Sequence, residues 1–207
     1  MNTLRSLRAW AFGSAIALLS TLPAWAGPVS SYQVSVDTSA FASTSGFIDF
    51  QFNPFFGGAT SSATVSSFTG DLAFDGAPVL DGGASGTLPG TQSFVNTEAL
   101  NASLQAVVFG TGFSFDLTLN GPISGTTDPT AFLLGVYGSD FSPVLGADAN
   151  NLSLVFLLRA DAPPEVTSFD DAITFASVNA VPEPASAMLV LLALGALGVS
   201  GRLQRTK

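Results

Sequence analysis

The chain has 207 residues, room for one ordinary domain with appendages at its ends. It holds no Cys and no His, which excludes disulfide frameworks, thiolate nucleophiles, Cys/His zinc sites and His-based catalytic triads. Only 10% of residues are charged and the net charge is −9, which excludes a nucleic-acid binder.

The amino terminus reads as an export signal. Arg5 and Arg8 form a positive head, an apolar stretch runs over residues 9–19, and Pro23 breaks it. Ala24-Trp25-Ala26 then gives an A-x-A site, with signal peptidase expected to cut before Gly27. Residues 27–180 form the exported body. They carry fourteen acids and one base, Arg159, so the body's formal charge is 1 − 14 = −13. Such a body repels anionic polymers and bilayer headgroups unless divalent cations bridge them.

Within the body, short segments of period two alternate with Gly, Ser, Thr and Asn clusters. In chain order the predicted strands are 32–36, the Ile48/Phe50/Phe52 alternation, 64–68, the Leu100/Ala102/Leu104/Ala106/Val108 alternation, 113–119, 131–137, the Leu152/Leu154/Phe156/Leu158 alternation and 172–178. Residues 100–109 also fit a helical period. Eight to ten short strands and no clear amphipathic helix predict an all-β body, an antiparallel β-sandwich or jelly roll. Seventeen of the eighteen phenylalanines lie in the body, where they are expected to fill the space between two sheets. The body has only Tyr32 and Tyr137 as ring-plus-hydroxyl residues and no Trp, which weighs against a strong sugar-stacking face. Phe55-Phe56 reads as a buried hairpin end.

Candidate chemistry is sparse. Asp37-Thr38-Ser39 is similar to the aspartic-protease loop, but that mechanism needs two carboxylates sharing a proton and no second copy is present. Glu98 and Glu165, the body's two glutamates, are the candidate pair for a carboxylate-only hydrolase. Oxygen ligands suited to Ca²⁺ cluster at Asp140, Asp148, Asn150 and Asn151, and again at Asp161, Asp170 and Asp171, without EF-hand spacing. Arg159, alone among acids, is expected to pair with Asp161 or a cross-strand carboxylate. No catalytic residue and no cofactor other than this candidate Ca²⁺ is expected.

The carboxyl end is tripartite. Val181-Pro182-Glu183-Pro184-Ala185-Ser186 leads into an uncharged apolar stretch at 185–201, and Arg202, Arg205 and Lys207 close a basic tail at 202–207. Seventeen helical residues span roughly 25 Å, enough for a single transmembrane helix with its basic flank inside. The ending at 181–207 closely resembles the PEP-CTERM sorting signal of Gram-negative bacteria. That resemblance implies processing near Pro182-Glu183-Pro184 by an exosortase, an inner-membrane intermediate, and delivery to the cell surface or extracellular matrix. The PEP residues then serve recognition, not catalysis. Residues 36–41 and 46–54 also resemble the opening of an uncharacterised PEP-CTERM family, which implies no activity. The chain is therefore expected to be a non-enzymatic structural or adhesive component of an exopolysaccharide matrix or biofilm. A carbohydrate- or calcium-binding surface module and a secreted carboxylate hydrolase are the alternatives.

Overall fold

A computed structural model describes residues 29–55, 60–121, 129–159 and 162–178. The signal segment with Ala24, Ala26 and Gly27, the sorting motif, the 185–201 helix and the basic tail lie outside the described residues, as does Asp161. Among the described residues no helix is long and apolar enough to cross a membrane.

Two antiparallel sheets face each other. The first contains β1 (Val29–Asp37), β3 (Ser62–Gly70), β6 (Ala84–Gly86), β7 (Gln92–Val95), β9 (Gly112–Asn120) and β13 (Ile173–Val178) in the order β13-β1-β9-β3-β7-β6. The second contains β2 (Ser45–Pro54), β4 (Ala73–Phe74), β8 (Ala102–Val108), β10 (Thr130–Gly138), β11 (Leu154–Arg159) and β12 (Ala162–Ser168) in the order β12-β11-β10-β2-β8-β4. β5 (Val79–Asp81) also pairs with β8. The expected all-β sandwich is thus the observed architecture, and most connections cross from one sheet to the other.

The period-two pattern places the core. Val34 and Val36 of β1, Phe113 to Leu119 at alternate positions of β9, Ile48, Phe50 and Phe52 of β2, and Leu154, Phe156 and Leu158 of β11 all point between the sheets. Rings bridge the two layers: Phe50 meets Phe115 at 5.1 Å and Tyr32 meets Phe156 at 4.7 Å, centroid to centroid. Edge-to-face and tilted pairs of this kind add to the area they bury. Phe55 departs from expectation, being 45% exposed just beyond β2.

Two further departures have physical causes. β12 carries Pro163 and Pro164, which sequence reasoning passes over as a strand. It survives because it is the edge strand of its sheet and both prolines fall where its register with β11 shifts between Leu157 and Arg159, so that neither missing N–H is called on by the ladder. Residues 102–108 form a strand and not a helix, but the inward side is polar: Ser103 and Gln105 are buried while Ala102, Leu104 and Ala106 face outward. The segment from Gly76 to Thr91 runs along this strand through β5, and side-chain amides fasten both it and β7 to β8. Gln105 Nε2 donates to the Gly76 carbonyl at 3.1 Å and Gln92 Nε2 donates to Ser103 Oγ at 2.7 Å. Asn101 Nδ2 donates to the carbonyls of Phe52 and Glu98 while its Oδ1 accepts from the N–H of Gly83. Gly82, at φ +57, has no room for a Cβ beside the Leu100 carbonyl, so only glycine closes this turn.

Candidate functional site

The inverted strand β8 leaves apolar side chains on the outer face of the second sheet, and a groove of about 430 Å³ lies there. Its floor is built from β8, β2 and β10, with Leu104 opposite Asp49 and Asp49 opposite Gly135 across the ladders. Val79 and Leu100 form one rim; Phe141 and Asn151 form the other. Asp49, only 9% exposed, is an outward-facing carboxylate in the middle of this floor. It accepts from Gln51 Nε2 at 2.6 Å, and Gln51 in turn accepts from Asn53 Nδ2 at 2.9 Å, a polar ladder along one face of β2. Burial pushes the Asp49 carboxyl above its ordinary value, with the Gln51 hydrogen bond working the other way.

Tyr137 lies back along its own strand over Gly135, where a Cβ would sit 2.3 Å from its hydroxyl. Glycine is therefore required at 135 for the phenol to reach the floor beside Asp49. Burial raises the Tyr137 phenol, and the charges of Asp49 and Asp148 raise it further. The rim residue Phe141 is held at φ +61, an unusual conformation for a bulky side chain, and is 53% exposed. Its ring stacks on Phe47 at 4.4 Å with 10° between planes. Asn151 at the same rim also has a left-handed φ, +64.

Of the residues singled out in the sequence, Tyr137 and Asn151 line this groove, while the other candidates fall elsewhere or serve the loops. Asp37 lines a wide depression at one end of the first sheet together with Asp71 and Asp171. Its Oδ1 accepts from the Ser39 N–H at 2.9 Å, and its hydrogen bonds to Ser39 lower its carboxyl. The backbone N–H groups of Thr111 and Gly112, and then Thr111 Oγ1, donate to Asp71 and bring it down to about 2. A proton-sharing dyad needs one carboxyl raised by the other, and here both are lowered, Asp37 by its own turn and Asp71 by the 111–112 backbone. Glu98 precedes β8 while Glu165 lies on β12. Four strand spacings separate β8 from β12, roughly 19 Å, too far for a glycosidase pair.

The candidate calcium ligands are engaged within their own turns. Asp140 accepts from the Ser142 N–H and hydroxyl, and Asp148 accepts from the N–H groups of Asn150 and Leu152 and from Asn150 Nδ2. Asp170 ties the loop before β11 to the turn before β13 by accepting from the N–H groups of Gly146 and Ala172. Among the described residues no group of three or more acidic side chains converges as a metal site would require. Arg159 ends β11 opposite Ala162, past a register irregularity. The groove is not legible in the sequence, because Tyr137 is one of two tyrosines in the body and the apolar phase of β8 reads as core. The available signal was the polar phase of β8, Asn101, Ser103 and Gln105.

No curated protein and no solved structure matches the chain. A family model described as the PEP-CTERM protein-sorting motif matches residues 180–205, beginning two residues beyond β13 and leaving the body unmatched. By that motif the chain is an exosortase-sorted extracellular protein.

Proposed function

We propose that the β-sandwich is the cargo of this sorting system, a non-catalytic structural or adhesive component of the cell surface or exopolysaccharide matrix. Signal peptidase removes residues 1–26 and exosortase processes the chain near Pro182-Glu183-Pro184. The body works without a cofactor. The observation that carries this reading is the placement of the sorting motif at 180–205, directly after the last strand of a sandwich whose loop carboxylates are engaged in their own turns. The test is replacement of Pro182, Glu183 and Pro184 by alanine, with cell fractionation. The expected outcome is an unprocessed chain retained in the inner membrane and absent from the matrix. Unchanged processing and location would overturn the reading. On peptide and glycan hydrolysis panels, the purified full chain is expected to show no turnover that any single Asp or Glu substitution removes.

A further inference from the structure

The outer-face groove combines features that the fold itself does not need. Asp49 is more than nine-tenths withdrawn from solvent, yet its paired neighbours are Leu104 and Gly135, neither of which offers a counter-charge. A carboxylate buried without a cation is costly. Asp81 lines the same groove, and among the described residues no Arg or Lys does. Residues 27–180 hold fourteen acids against one base, so the surrounding field draws in cations and repels anionic polymers. Phe141, kept in a strained backbone conformation, presents its ring at the rim, where it offers a face to a cation or to the apolar face of a sugar.

We propose that this groove binds an amine-bearing sugar unit of an extracellular glycan, its ammonium seated at Asp49 and its ring between Leu104 and Phe141. Charge complementarity selects a cationic occupant. The remaining polar groups select a sugar over other organic cations: Gln51, Asp81, Asn151 and Tyr137 supply partners for ring hydroxyls, which a choline headgroup or an unbranched lysine side chain would leave unused. The volume, about 430 Å³, lies within the range of ligand pockets, roughly 300–1,000 Å³, and exceeds what a trimethylammonium group alone fills. The inference rests on the matrix reading above for the source of the sugar, while the site chemistry stands by itself.

The experiment uses the whole chain purified in detergent, titrated by calorimetry at physiological ionic strength with a glucosamine tetramer. The fully N-acetylated tetramer, a glucose tetramer, an oligolysine peptide and phosphatidylcholine vesicles are the comparison arms. The glucosamine tetramer is expected to bind at least about tenfold tighter than its acetylated form, the scale of one charge-assisted hydrogen bond in a desolvated site. Asp49→Asn, which keeps an acceptor for Gln51, is expected to erase that preference. Phe141→Gly, which suits the left-handed backbone and so preserves folding, is expected to weaken binding about threefold. The proposal is overturned by absence of binding, by equal binding of the three tetramers, by binding unchanged in both variants, or by tighter binding of oligolysine or vesicles through Asp49. Loss of amine-sugar binding in Asp49→Asn with undiminished matrix retention in cells would uphold this site and show that retention rests on other contacts, whereas amine-sugar binding by a wild-type chain absent from the matrix would uphold the site and sink the matrix reading.

Discussion

Asp49 and Asp71 show how one residue type serves opposite ends. The Asp71 carboxylate sits open to solvent and collects donors from Thr111 and Gly112, so folding favours its charged form. Its stabilisation is present above the unfolded value of about 3.9 and is lost as pH falls through about 2. Asp49 runs the other way: its folded value is raised, so folding favours the protonated form and stability falls as pH climbs from about 3.9 through that raised value. Asp49→Asn is therefore expected to raise the melting temperature at neutral pH and to leave it unchanged near pH 3. Asp71→Asn is expected to lower it slightly at neutral pH, the effect being screened at the surface, with the difference fading in acid. Melting curves across pH check both signs. A residue that lowers stability at working pH is a candidate for function, and Asp49 is legible as such only after β2 is paired with β8 and β10.

At the level of the element, β8 carries the sharpest lesson. Its alternation was plain in the sequence, but which phase faces inward was not. Period two specifies two faces and says nothing about which is covered. Hydropathy favours Leu104 and Ala106 as core, whereas the inner layer here holds Gln105, which donates to the Gly76 carbonyl, and Ser103, which accepts from Gln92. Gln105→Leu is thus expected to destabilise by about 1–2 kcal/mol despite adding hydrophobicity, because the Gly76 and Ala106 carbonyls lose their donor. Leu104→Thr, on the outer face, is expected to cost less than about 1 kcal/mol. Denaturant titration of the two variants distinguishes the phases. The strands with strict alternation of large apolar residues, β1, β2, β9 and β11, were readable from the chain alone. β4, β5 and β6 were not, since two or three residues cannot display a period.

For the molecule as a whole, the sequence speaks most clearly at its ends, where charge, length and motif act over a few adjacent residues and need no folding to be read. The groove is the converse case. Its residues come from positions 49 to 151 and meet only through strand pairing. The body's charge of 1 − 14 = −13 is likewise readable at once and has a consequence for stability. Like charges on one compact surface repel, and salt screens them, so the melting temperature is expected to rise with sodium chloride. A flat or falling dependence on salt would show that paired charges outweigh that repulsion.

The pairing of the first and last strands has a mechanical consequence. β1 and β13 run antiparallel, with Ser31 opposite Val178 at one end of their ladder. Entry to the sandwich and exit from it therefore share one corner, and among the described residues β13 is an edge strand paired with β1 alone. A pull arriving through residue 178 opens that ladder pair by pair, as a zipper opens, where a load shared along the strand would have to break all six pairs together. For a protein held through its carboxyl end, as the proposed role implies, this ladder would be the first part to yield under drag.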